Sequence, residues 1–218
     1  MKKIPYWILP FVIYSLIMLF IDYKYSTSFV RHFFSDITED NIPFYAINTT
    51  ISVFLLWGVS LIFAMSLSCL NSMDKEYPRE RLFFYSQIFI FAFLGFDDRF
   101  LVHELLEEKF GIKDSITLLF FGGLELFSLF FFGKILEKST EIKITLFLAG
   151  AMFGLMIFID QFWIPEGTWI FNAIRSVRLS AEDLAKTWSG IFLFRYAWLI
   201  YSEKIAALQE VKVKDSIQ

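Results

Sequence analysis

No charged residue occurs in residues 41–73, and none occurs in residues 4–21, which directly follow Lys2 and Lys3. Runs of that length constrain a fold more tightly than any motif. A helix of about 20 apolar residues covers the ~30 Å hydrocarbon core of a bilayer, whereas a helix in a small soluble domain must leave one face to water. The rest of the chain has the same character. Of its 218 residues 56% are apolar and 20% aromatic, and many of the 29 Phe fall in blocks such as LFSLFFFG at 126–133. Soluble domains have about 45–50% apolar residues. With a mean hydropathy of +0.56, the bilayer is the expected solvent.

The expected fold is therefore all-α. It is a polytopic integral membrane bundle of about six transmembrane helices in one domain, 1–218, with spans near 4–21, 46–70, 83–104, 115–136, 143–162 and 182–203. The stretch DYKYSTSF after the first run has no small-x-small cleavage site, so the first run reads as an uncleaved span. Lys2, Lys3, Arg79, Arg81, Lys134 and Lys138 fall on one side of this arrangement, as part of a Lys/Arg excess there. The positive-inside rule makes that side, with both termini, cytoplasmic, and a bacterial inner (plasma) membrane is the expected location. A net charge of −3 leaves no basic footprint for nucleic acid. A single Cys69 offers neither a disulfide framework nor a Cys-based metal motif. The expected partners are the lipid bilayer and either another membrane protein or a second copy of the chain.

Charge returns abruptly in FDDRFLVHELLEEKFG, residues 96–111. On a helix continuing from the third span, at ~100° per residue, Asp97, Glu104 and Glu108 fall within ~40° of one another, and His103 and Glu107 widen that face. Asp98 and Arg99 point elsewhere. Carboxylates and an imidazole on one wedge suit a divalent metal ion or acid–base chemistry. Gly111 marks a helix end, so Glu107 and Glu108 read as a solvated tip, while Asp97 lies in the outer part of the span and needs a partner. Asp160 at the end of the fifth span and Glu182 at the start of the sixth lie at the same level. The expected catalytic set is Asp97, His103, Glu104 and Glu182, and Asp160 joins these four in the expected metal set. Asn48 belongs to the same layer. In SAED, Ser180 and Asp183 have the spacing of a capping box, which gives Asp183 a structural role. The other histidine, His32, reads as an interfacial residue.

Deeper in the bilayer lie Glu125 and Arg195. An isolated charge at that depth costs at least ~2.5–3.5 kcal/mol, so an intramembrane ion pair between them is expected. The motif D-D-x4-H-E (97–104) and the later acidic pair in AEDLAKTWSGIFLF (181–194) resemble a pattern of uncharacterised multi-span bacterial membrane proteins, D-E-x4-H-E followed by E-E-x2-E-x2-G. Here Asp98 stands for the Glu of the first motif, and Lys186 lies near the position of a third acid. The resemblance implies a multi-span helical fold and no particular activity. Three function classes fit the residues: a membrane enzyme using the outer cluster on a lipid-proximal substrate, a proton- or ion-coupled transporter or channel using Asp97, Glu125 and Arg195, and a non-catalytic membrane subunit or sensor. Between the first two, the enzyme or metal-site reading leads because the charges gather at one leaflet.

Overall fold

The computed structural model describes residues 8–25, 47–71, 77–100, 102–111, 114–161 and 169–215. Among these residues there are seven α-helices and no strand. They are α1 (Leu9–Tyr25), α2 (Ile47–Asn71), α3 (Pro78–Phe100), α4 (Val102–Phe110), α5 (Asp114–Phe131), α6 (Thr140–Gln161) and α7 (Trp169–Asp215), with a 3-10 turn at Ile135–Glu137 between α5 and α6. By length and composition two of them could cross a membrane, α2 and the Thr140–Ile159 part of α6. Helices α1 and α5 contain the shorter apolar stretches Leu9–Ile21 and Ile116–Phe131. Helix α3 carries Ser86 and Gln87 in its middle and charges at both ends.

Two expected helix boundaries are corrected. The third helix does not run on through 104: α3 stops at Phe100 and a separate α4 begins at Val102. Nor does a helix start at Ser180. That residue is buried inside α7, a single helix of 47 residues. Residues 169–179 contain neither Gly nor Pro, so once α7 has nucleated upstream nothing halts it before the SAED sequence.

The helices fall into two compact units. The first comprises 1–51 and 152–188, the second 52–151 and 189–218. In the first unit α1 lies on α7. Met18 is buried with Leu184, Phe11 meets Trp188 edge-on at 6.3 Å, and Trp188 Nε1 donates to Ser15 Oγ at 2.9 Å.

The second unit has the larger core. Phe63 of α2 is fully buried against Phe83, Phe84 and Phe91 of α3 and Tyr196 of α7. Ser60 Oγ donates to Ile88 O at 3.0 Å, and with Trp57 at Gly95 and Phe63 at Phe84 this contact shows α2 running antiparallel to α3. Outside, Phe89, Phe120, Phe127, Phe130 and Phe147 are exposed, whereas Ser66, Gln87 and Ser128 are buried. This is the reverse of the polarity expected in water.

At the turn after α5, a Cβ on Gly133 would lie 2.7 Å from Phe83 Cε2 and 3.1 Å from the Leu129 carbonyl oxygen. Phe83 is buried against Phe63 and Phe84, so displacing its ring disturbs both contacts. Gly133→Ala is expected to cost about 1–3 kcal/mol through overpacking, read as a lower melting temperature of the purified chain in detergent. An unchanged melting temperature would mean the turn opens freely.

Candidate functional site

Helix α3 ends in two consecutive buried carboxylates, Asp97 (3% exposed) and Asp98 (4%). Both oxygens of Asp97 are engaged by a single residue. Oδ1 accepts the backbone N–H of His103 at 2.9 Å, and Oδ2 lies 2.9 Å from His103 Nδ1. On one unbroken helix residues six apart lie ~120° out of line and ~9 Å apart along the axis, so the bonds from Asp97 to His103 mean that α3 and α4 are not one continuous straight helix. The break in turn leaves the first N–H groups of α4 without intrahelical acceptors. The Asp97 carboxylate fills that need, placing negative charge at a helix start where the dipole favours it.

The chemistry follows from the donor inventory. An ionised carboxylate only accepts, so, facing one, Nδ1 would carry a proton and Nε2 would be the nitrogen that gains or loses one. Asp97 thereby fixes the ring's orientation. Two residues before Asp97, a Cβ on Gly95 would lie 2.5 Å from Trp57 Cδ1. Glycine at 95 is what lets the indole ring approach the α3 backbone so closely.

The second half of the motif behaves as a solvated tip. Glu107 and Glu108 are exposed, and Gly111 closes α4 with φ 67° and its N–H on Glu107 O at 2.9 Å. That is the left-handed glycine cap of a helix end. Asp98, which the helical wheel turns away from the cluster, is instead buried beside Asp97.

Of the other expected members, the side chains of Glu104 and Asp160, and the whole of His32, lie outside the described residues. Glu182 is half-buried on α7 in the first unit. No three His, Cys, Asp or Glu side chains among the described residues come together as a metal site requires. Asn48 is buried in the first unit, where its Nδ2 donates to Asp183 O at 3.2 Å. Thr187 Oγ1 lies 2.9 Å from Asn48 Oδ1 and 3.1 Å from Asp183 O, sharing its proton between them.

The expected Glu125–Arg195 ion pair is corrected. Arg195 Nη2 lies 2.7 Å from Glu141 Oε1 in a pair that is partly open to solvent. Glu125 Oε2 instead accepts from Gln87 Nε2 at 2.6 Å. The cause is register. Ser189 Oγ donates to Ala149 O at 3.0 Å, so antiparallel α6 and α7 bring Arg195 level with the first turn of α6, where Glu141 sits. Depth counted from a helix start at 182 does not apply to a helix that begins at Trp169.

Around Glu125 the fold assembles a polar cluster that was not expected: Ser86 and Gln87 from α3, with Ser128 from α5. Gln87 Nε2 also reaches Ser128 Oγ at 3.2 Å, and the Ser86 and Ser128 hydroxyls are hydrogen-bonded to each other. The available signal was the adjacent pair Ser86-Gln87 in an otherwise uncharged run at 82–96. A different feature occupies the opposite end of α3, roughly 28 Å from Asp97 at ~1.5 Å per residue. There a cavity of about 500 Å³ is lined by Arg79, Glu80, Lys134, Glu137 and Lys138 among others. Its lysines are engaged in ion pairs, Lys134 with Glu137 at 3.1 Å and Lys138 with Glu203 at 3.2 Å.

The molecule is thus an all-helical protein with a phenylalanine-rich exterior, two helices able to cross a membrane and a buried Asp–His pair at one helix end. The chain belongs to a family described as a domain of unknown function (DUF8692), which it matches over residues 6–200. No curated protein and no solved structure matches it.

Proposed function

We propose that this chain is a six-span integral membrane protein of a bacterial inner membrane, both termini cytoplasmic, that carries out acid–base chemistry on a lipid-proximal substrate at Asp97–His103. The observation that carries the reading is the carboxylate of Asp97, withdrawn from solvent and bonded through both oxygens to His103. A buried Asp holding an imidazole by Nδ1 is the arrangement that lets Nε2 take a proton from a nucleophile and return it to a leaving group. The exposed Phe89, Phe96 and Phe100 on α3 supply an apolar surface suited to acyl chains beside the pair. The partners in this reading are the bilayer and a lipid or lipid-linked substrate.

Mass spectrometry of lipids from cells overproducing wild type, Asp97→Asn or His103→Ala provides the test. Wild type is expected to deplete or create a lipid species, and the variants to slow that conversion by about 10²–10⁴-fold, the usual contribution of a positioned acid–base group. Identical lipid profiles at equal protein levels would exclude the proposed chemistry, and release of the chain from membranes by alkaline carbonate would exclude the integral location. Metal analysis of the same purified proteins separates base from ligand. A divalent metal present in wild type and absent from Asp97→Asn would give His103 to the metal.

A further inference from the structure

The interior of the second unit contains three oxygen atoms without a hydrogen-bond partner among the described residues, Glu125 Oε1, Gln87 Oε1 and the Tyr196 hydroxyl. They share one neighbourhood. Gln87 Nε2 ties its amide to Glu125 Oε2 at 2.6 Å, and the Tyr196 ring packs on Phe63, which lies against Phe84 and Phe91, three and four residues either side of Gln87 on α3. Gln87 and Tyr196 are fully buried. Ser128 Oγ, which accepts from Gln87 and pairs with Ser86, completes a wall of oxygens.

Two facts about this group require something positive beside it. The first is a shortage of donors. A carboxylate oxygen and an amide carbonyl oxygen both only accept, and the single phenolic proton of Tyr196 can serve one of them. The second is a shortage of charge. Helix α3 has no charged residue from 82 to 96. Among the described residues Arg195 is turned to Glu141, Lys138 to Glu203, Lys204 to Glu80 and His103 to Asp97, while Arg81, whose buried Nε lacks a hydrogen-bond partner, stands six residues before Gln87, ~9 Å along α3. A buried water could supply donors, but it would leave the charge of Glu125 uncompensated in a low-dielectric interior.

We propose that Glu125, Gln87 and Tyr196 form a buried receptor for one exchangeable positive charge, either a proton on Glu125 or a sodium ion held by their oxygens. A single carboxylate among neutral oxygens matches a unit charge, because divalent cations recruit several carboxylates or retain their waters. Gln87 lies roughly 15 Å along α3 from Asp97, at ~1.5 Å per residue, so this site stands or falls independently of the Asp97–His103 reading.

The full chain in lipid vesicles at neutral pH, carried through infrared spectroscopy and thermal unfolding in sodium or choline chloride, tests the proposal. If the charge is a proton, wild type has a protonated-carboxylic-acid carbonyl band in both salts, and Glu125→Gln lacks it. If it is sodium, wild type has no such band but melts higher in sodium than in choline, and Glu125→Gln loses that difference. An ionised wild-type carboxylate with equal melting in the two salts overturns the proposal, as does either signature surviving in Glu125→Gln. Should Glu125→Gln fail to fold, Tyr196→Phe keeps the buried ring and removes only the hydroxyl. A shifted acid band or a reduced sodium effect then supports the receptor, and an unchanged signature overturns it.

Discussion

Phe63→Ala is expected to lower the unfolding free energy by about 3–5 kcal/mol, the range for emptying a fully buried aromatic site. Phe63 is 0% exposed and touches four rings: Phe83 at 5.9 Å and Phe84 and Phe91 at 6.2 Å on α3, and Tyr196 at 5.9 Å on α7. Phe91 stacks on it nearly parallel, while Phe83 meets it edge-on, so no single neighbour can move to fill the hole without surrendering its own contacts. Packing of this kind holds helices together even in lipid, where transfer from water adds nothing between helices. Denaturant unfolding in detergent would measure the loss. Phe63→Leu is expected to fall between wild type and alanine. A loss below ~1 kcal/mol for alanine would mean the three helices do not converge on this ring.

Asp97→Ala carries the second large effect. It removes the acceptor for two groups of His103, the backbone N–H and Nδ1, and each stranded buried donor costs about 1–3 kcal/mol. Hydrogen exchange resolves the backbone share: the His103 amide is expected to exchange roughly 5- to 150-fold faster, the equivalent of that range. Asp97→Asn separates structure from chemistry. Its side-chain carbonyl can still accept the His103 N–H, so α4 keeps its start. Its amide N–H₂ faces Nδ1, which must then accept, and the ring proton moves to Nε2. The expected result is near-normal amide protection with the base function lost. Rapid exchange at His103 in both variants would mean that the negative charge at the helix start outweighs the hydrogen bond.

How much of this was legible depended on whether a feature was local. The expected span at 46–70 and the observed helix Ile47–Asn71 nearly coincide, because an uncharged run needs no tertiary information to declare itself. The helical character of the chain was readable for the same reason, and so was the glycine stop at Gly111. The break before Val102 was not. Neither Phe100 nor Leu101 is a helix breaker, and the break is accompanied by a side-chain bond from Asp97 to a backbone six residues on, a feature that hydrophobic periodicity does not carry. SAED at 180–183 is the opposite case, a genuine capping pattern that a helix already under way runs through. The Glu125 pairing failed through depth counting, since one misplaced helix start moved Arg195 to the wrong level. Its true partner, Gln87, is an uncharged residue, and a search for opposite charges passes over it.

The hydroxyl and amide ties inside the second unit also determine how such a chain finds its register. When coat and core are both phenylalanine, sliding one helix along another exchanges one ring contact for a similar one, and the apolar surface scarcely discriminates between the two positions. Ser60 on Ile88 O, Ser86 on Ser128, Gln87 on Glu125 and Ser189 on Ala149 O do discriminate. Each fits at a single offset, as the wards of a lock admit one key, and any other offset strands a polar atom in oil. Greasiness brings the helices together, and these notches align them. A chain with several notches filed away would still be drawn into a compact bundle, but its helices would drift between offsets, visible as several competing cross-links wherever paired cysteines are placed to report a single one.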